Sequence, residues 1–175
     1  MKAAEAPADV RERAEQLRRA FDQSFALAPD SGVAATSTLI AIRVAGHPYA
    51  AHLADVGGIF VDKALTWLPG PAPELIGLVG VRGTVLPVYD LGMLLGSPKA
   101  AAARWLLVTA ATPVGLVFDE FEGYLRTPAG AIVPEVHAEP RAAHVREVLH
   151  TEVVRAVIDL PTVLATIRSR SGPSS

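Results

Sequence analysis

The chain has no cysteine among its 175 residues. Disulfides, thiolate nucleophiles and cysteine-type zinc sites are therefore excluded, and the absence fits a reducing compartment. Long apolar runs are missing too. The oiliest stretch, from Leu75 to Val81, is stopped by Arg82, well short of the ~20 residues that span a bilayer. The opening residues, MKAAEAPADVRER, lack the apolar core of a signal peptide. Nor does charge of one sign accumulate. Sixteen Lys and Arg stand against eighteen Asp and Glu, for a net charge of −2. No basic field is available to neutralise phosphates, which disfavours nucleic-acid binding. A soluble cytoplasmic protein without membrane insertion is expected.

What is present is a globular composition, 50% hydrophobic and 19% charged. Residues 8–28 carry a helical period, with Val10, Ala14, Leu17, Phe21 and Phe25 on one stripe and charged residues opposite. Such a helix can pack on its own domain or dock a partner; the first is favoured, because an amphipathic stripe is first of all a burial signal. Residues 29–32, PDSG, end it.

From Thr38 the texture becomes β. A hairpin is expected around Gly46-His47, then strands over 56–61, 64–67, 76–81 and 84–89, the last two joined at Arg82-Gly83. Residues 91–95 read as a short helical turn. Strands over 104–110, 114–118 and 123–128 follow, then an irregular stretch, a hairpin over 144–160, and a closing helix with Pro161 in its first turn. The acidic FDEFEG (Asp119, Glu120, Glu122) reads as a solvated turn.

Sliding the chain by 69 positions overlays two stretches. Ile76 falls on Val145, Val79 on Val148, Asp90 on Asp159 and Leu91 on Leu160. Both copies read as strand, turn, strand, Asp-Leu and helix. Each aspartate then acts as an N-cap that accepts from free helix N–H groups. Arg82 has no counterpart, since Thr151 occupies the matching place. Short strands with Gly and Pro punctuation, and two similar units, predict two small antiparallel barrels.

No motif carries catalysis. The five histidines make no HExxH pair, no GxSxG elbow surrounds a serine, and the glycines spell neither GxGxxG nor a phosphate loop. No catalytic, metal-binding or cofactor-binding residue is assigned, and no cofactor is expected. A hydrolase built on Asp119, Glu120 or Glu122, and a small-barrel nucleic-acid binder, stand as alternatives to a protein-binding module.

The stretch GLVGVRGTVLPVYDLGMLLG resembles the signature of CheW-like chemotaxis coupling proteins, close to GVINLRGxVIPVIDLRxxLG. LIAIRVAGHPYAAHLADVGGIF, PVGLVFDEFEGYLRTP and VVRAVIDLPTVL resemble further blocks of that family, in family order, over residues 38–167. The resemblance implies a mainly β fold of two five-stranded SH3-like barrels that ends in a short C-terminal helix. Together with the helical period that lies outside it and the SGPSS ending, it divides the chain into an N-terminal amphipathic helix and linker (1–36), a CheW-like domain (37–168) and a disordered tail (169–175). It implies no enzyme but an adaptor between the cytoplasmic tip of a methyl-accepting chemoreceptor and the regulatory domain of a CheA-type histidine kinase. By motif position, receptor contacts carry over to Val56, Arg82 and Gly115. The family's kinase contacts use apolar surface on the first barrel, which places them here in the region of Leu75, Ile76, Leu78 and Val79. Two departures stand out. Gly58 replaces the family's frequent acid near Arg82, and Gly80-Val81 replaces its Asn-Leu. Together with the N-terminal helix they suggest a specialised, non-flagellar pathway.

Overall fold

The computed structural model describes residues 36–70, 72–98, 104–135 and 143–171. The expected N-terminal helix lies outside the described residues. Twelve strands follow in chain order: β1 (Thr36–Val44), β2 (His47–His52), β3 (Val56–Val61), β4 (Leu65–Trp67), β5 (Leu75–Val81), β6 (Thr84–Asp90), β7 (Trp105–Thr109), β8 (Gly115–Phe118), β9 (Glu120–Pro128), β10 (Ile132–Pro134), β11 (Val145–Leu149) and β12 (Arg155–Ile158). Helix α1 (Leu91–Leu94) follows β6 and α2 (Leu160–Ser171) follows β12. Residues 169–171 thus belong to a helix, not to a tail.

The strands form two six-stranded sheets, one ordered β10-β11-β12-β2-β1-β9 and the other β4-β5-β6-β8-β7-β3. That is one strand more per sheet than expected, with the three-residue β4 and β10 on equivalent outer edges. The two orders superpose strand for strand. Each has one parallel contact, β12 with β2 and β6 with β8, and both fall at the same place in the order. Each sheet also takes an edge strand from the other's stretch of chain. β3 follows β2 but pairs with β7, and β9 follows β8 but pairs with β1.

Two-sided burial explains why these strands read as unbroken apolar runs. On β1, Leu39 enters the interior of the first sheet with Ala50, Leu149 and Val157. Its neighbours Ile40 and Ile42 join the core between the sheets. On β7, Leu106 and Val108 enter the second sheet's interior, while Leu107 joins the central core. Each sheet curls until its two edges share an interior: Leu125 of β9 and Ile132 of β10 pack on one cluster, Phe60 of β3 and Leu65 of β4 on the other. Leu91 and Leu94 of α1, and Leu160, Val163, Leu164 and Ile167 of α2, complete the central core.

Asp90 and Asp159 are the expected caps. Asp90 Oδ1 accepts from the Met93 N–H at 3.1 Å, and Asp159 Oδ1 from the Thr162 N–H at 3.2 Å. Their own N–H groups donate to the Glu74 and His144 carbonyls, each at 2.8 Å. The register of the repeat needs one correction. Leu78 pairs with Pro87 and Val148 with Ala156; Val79 pairs with Leu86 and Leu149 with Arg155. Hence β6 overlays β12 at an offset of 69, but β5 overlays β11 at 70. Val79 is the counterpart of Leu149, not of Val148, and Ile76 that of Arg146. The chain from Leu149 to its partner Arg155 is one residue shorter than that from Val79 to its partner Leu86, so a constant offset slips by one, which in a strand exchanges faces. The first hairpin turn also moves by one residue, to Ala45 and Gly46, with φ of 50° and 78°. His47 opens β2 instead.

Replacing either aspartate with alanine is expected to cost about 1 kcal/mol. Asp90, 2% exposed, should cost the more, because its position leaves no water to replace the lost acceptor. Denaturant unfolding of the two variants checks both statements.

Candidate functional site

Arg82 and Gly83 form the turn between β5 and β6, with φ of 51° and 80°. Positive φ at both central residues is a type I′ hairpin turn, whose first place favours Asn, Asp or Gly. An arginine there holds a left-handed backbone at a cost of about 1 kcal/mol. Its side chain is exposed, and among the described residues no carboxylate forms an ion pair with it.

Beside Arg82 lies a cleft of about 230 Å³. Its apolar walls include Phe60, Leu86 and Val108, and its rim includes Arg82, Gly57 and Pro113. Backbone features shape it. The β3 ladder with β7 shifts register between Val56 and Gly58, and a Cβ on Gly57 would lie 3.2 Å from the Thr109 carbonyl. The turn between β7 and β8 forms the far wall. Thr109 fixes that turn: its Oγ1 donates to the Thr112 carbonyl at 2.5 Å and accepts from the Val114 N–H at 3.2 Å.

The three expected receptor residues stand around this region, but only Arg82 lines the cleft. Val56 pairs with Thr109 at the head of β3, and its half-buried side chain packs on the central core. Gly115 is buried on β8. A Cβ there would meet Leu106 Cδ1 at 2.9 Å and Val88 Cγ2 at 3.1 Å. It faces Val88 as Ala50 faces Val157 in the other sheet, so smallness at this place serves the parallel strand contact. Gly58 leaves Arg82 without the acid often found there in the family resemblance, and a side chain at that position would press on the Phe60 ring at 3.0 Å.

The four expected kinase residues divide by face, and the alternation is broken at the register shift between Leu75 and Gly77. Ile76 and Val79 are 6% and 2% exposed and form the second sheet's interior. They are core, not contact surface. Leu75 packs on the central core and Leu78 is half-buried. The accessible apolar matter nearby is Trp67, Leu68 and Val85, 64%, 38% and 66% exposed. Sequence reasoning missed Val85, which as an apolar strand residue looked like core.

The corresponding place in the other sheet is filled. Leu86 of the cleft has Arg155 as its counterpart, since Val79 pairs with Leu86 as Leu149 pairs with Arg155. Arg155 is 8% exposed. Its Nη1 lies 2.5 Å from Glu122 Oε2 on β9, the counterpart of β3. Glu122 Oε1 accepts from Arg43 Nε at 2.7 Å on β1, the counterpart of β7. The acidic FDEFEG is therefore no solvated turn. Glu120 and Glu122 lie within β9, and Asp119 Oδ2 accepts from the Gly46 N–H at 3.2 Å. Asp119 and Glu122 are engaged in holding strands and a turn, which gives the hydrolase alternative no support.

Comparison with known proteins agrees with this architecture. A CheW-like domain model matches residues 38–168. The chain is 33% identical to Protein PilI of Pseudomonas aeruginosa over 93 residues, 51% of this chain and 52% of that protein. It therefore spans about half the length of that curated relative. It is 27% identical over 117 residues to a probable chemotaxis protein CheW of Rhizobium etli, covering 63% of this chain and 76% of the relative. The crystal structure of the scaffolding protein TtCheW from Thermoanaerobacter tengcongensis superposes with a TM-score of 0.64 at 20% identity, covering 70% of this chain and 88% of that one. At that identity the likeness concerns the fold.

Two stability measurements test the site's construction. Arg82→Asn should raise unfolding free energy by about 0.5 kcal/mol, because asparagine suits the first place of a type I′ turn. Glu122→Ala should lower it by about 3 kcal/mol, because Arg155 is left buried without its counter-charge. Burial alone would push the Glu122 carboxyl up, but the Arg155 and Arg43 guanidiniums outweigh it and hold it below the usual carboxylate range. A folded-state value below the unfolded one means stability that is present above the usual range and lost as pH falls through the folded value. The Glu122→Ala chain should show a weaker acid dependence than the parent.

Proposed function

The chain belongs to the CheW-like family, and we propose that it is a non-enzymatic adaptor of a chemosensory pathway, holding a CheA-type histidine kinase to chemoreceptors. Residues 37–168 form the adaptor domain in this proposal, and the two curled sheets support the expected pair of SH3-like barrels. The observation that carries it is the pairing of a strained, exposed Arg82 with an apolar cleft. A cation at the rim of an apolar recess suits a partner helix that offers an apolar side chain next to an acid. The receptor tip docks there, with Arg82 as the charged contact. Val56 and Gly115 act from behind the cleft by setting where β3 and β8 run.

The kinase's regulatory domain docks on the outer side of β5 and along β4. Leu78 and Leu75 belong to that region, with the exposed Trp67, Leu68 and Val85 supplying the apolar area. Ile76 and Val79 support it from inside. Exposed apolar residues on a short edge strand and its neighbour are what a protein interface requires and a free surface disfavours. No described helix is long and apolar enough to cross a membrane, and a cytoplasmic setting fits receptor tips and kinase. Gly58 and Gly80 in place of the usual family residues support a pathway specialised away from swimming.

Calorimetry with the regulatory domain of the partner kinase and with a receptor-tip fragment tests both arms. Arg82→Ala should weaken receptor binding about tenfold, or about 1.4 kcal/mol, and leave kinase binding unchanged. Trp67→Ala should do the reverse. Failure of the unaltered chain to bind either partner would sink the proposal.

A further inference from the structure

Val81, Leu86 and Val108 line the cleft beside Arg82 and also belong to the second sheet's interior cluster. The cleft is therefore a place where that interior opens to the surface. In the other sheet the equivalent place is closed by Arg155 and Glu122. The opening holds about 230 Å³. Pockets for small molecules run to roughly 300–1,000 Å³, so this one suits a single inserted side chain.

One wall of the opening is the Phe60 ring, which borders the cleft and also packs on the interior. The strand that carries it is fixed before and after the ring. Before it, Gly57 lies so close to β7 that a Cβ there would be 3.2 Å from the Thr109 carbonyl oxygen. After it, Asp62 holds a φ of 50°. Arg104 donates to both Asp62 carboxylate oxygens, at 2.9 and 2.6 Å, and its carbonyl accepts from the Asp62 N–H at 3.0 Å. Past that turn Lys63 stands over the ring, its Nζ 5.3 Å from the centroid. With the backbone held at both ends, the part of this wall that can move is the ring.

Gly58 sits against that ring. A Cβ there would lie 3.0 Å from Phe60 Cε2 and 3.2 Å from Cζ, and among the described residues no other atom outside its chain neighbours comes within 4 Å. Its backbone is not left-handed. Only the ring opposes a side chain at this position.

We propose, on the reading of this cleft as the receptor's docking place, that Gly58 is a positioning residue for recognition. Through the Phe60 ring it sets the width of a recess that takes one bulky apolar side chain, leucine-sized or aromatic, from the receptor tip. A side chain at position 58 must displace the ring. The close-packed interior does not yield, so the ring moves into the cleft and narrows it. The inserted side chain completes the interior that Val81, Leu86 and Val108 leave open, with its acidic neighbour at Arg82.

Disulfide exchange at a single thiol tests the recess without a partner. The chain has no cysteine, so Thr84→Cys places one thiol on the cleft. Thr151→Cys places a control thiol on the connection between β11 and β12. Each chain is equilibrated with 2-phenylethanethiol, 2-mercaptoethanol and their disulfides, and the adducts are counted by intact mass. The phenylethyl adduct should be favoured about tenfold more in the Thr84→Cys chain than in the control. Adding Gly58→Ala should lower that preference about threefold, and adding Gly58→Val should abolish it. With Phe60→Leu also present, Gly58→Ala should no longer matter. No preference over the control, or one that the Gly58 changes leave intact, would overturn the proposal. Should the Gly58 variants fail to fold, Phe60→Leu alone decides. The wall then recedes, so the Thr84→Cys chain should come to prefer a naphthylethyl adduct over the phenylethyl one, and an unchanged order overturns the proposal. Calorimetry with a receptor-tip fragment separates the two readings. An adduct preference without fragment binding sinks the receptor reading and leaves the recess. Fragment binding that Gly58→Val does not weaken, without an adduct preference, sinks the recess and leaves the receptor reading.

Discussion

β3 leaves the sheet that its preceding hairpin helps to build, and β9 does the same in the opposite direction. This exchange of edge strands is the constraint on which the rest depends. It makes each sheet complete only when the other's stretch of chain has folded. It also places the two parallel contacts, β6 with β8 and β12 with β2, next to a common core. Strands so placed are covered on both sides. Hence Ile40, Leu107, Leu116 and Ile158 are fully buried with no polar face to alternate with. The short passage from β2 into β3 and the shift of register after Val56 bring Gly57 against Thr109. The cleft beside Arg82 is a by-product of that crossing.

The two repeats share a topology and differ in what fills the equivalent recess. In one, Leu86 and Phe60 line open space. In the other, Arg155 stands where Leu86 would be and meets Glu122 and Arg43. Burying the Arg155 charge costs several kcal/mol, and its attraction to Glu122 returns that only with good geometry. An apolar filling of the same volume would serve stability as well. The triad does something an apolar filling would not, since two strands, β2 and β1, lie between β12 and β9 in the sheet order. Arg155 and Glu122 reach across them and join β12 to β9. The recess left open is therefore the one beside Arg82, and only one repeat presents it.

Much of the fold was legible because its signals are local. The Arg82-Gly83 turn, the extents of β3 and β6 and the caps at Asp90 and Asp159 each rest on a few adjacent residues. The errors arose where the decisive partner is distant. FDEFEG looked solvated because nothing nearby pairs with it, whereas its partners Arg43 and Arg155 lie 79 and 33 positions from Glu122. The repeat was visible, but its offset slipped by one on β5, because the loop that absorbs the difference has no sequence counterpart. The candidate site was legible at Arg82 alone. Phe60, Leu86 and Val108 carry no mark that separates a cleft wall from ordinary core, and Gly115 stood out through its motif although its position is one of packing.

Parity along β5 settles how one strand can serve both core and surface. Ile76, Val79 and Val81 are buried and Leu78 and Gly80 are not, so the break in alternation falls at the register shift between Leu75 and Gly77. Past that shift the inward residues are Gly77, Val79 and Val81, and the outward ones are Leu78 and Gly80. Gly80 faces Val85 across the ladder, and no atom lies within 4 Å of where its Cβ would be. Open space beside an exposed valine is a poor way to stabilise a sheet. Gly77 is the opposite case, since a Cβ there would lie 2.3 Å from the Thr66 carbonyl, and its absence lets β4 approach and carry Trp67 on the edge. The same strand thus uses one glycine to bring β4 close and another to keep ground clear beside Val85. These choices are costly for an isolated sheet and economical for a surface that something else covers.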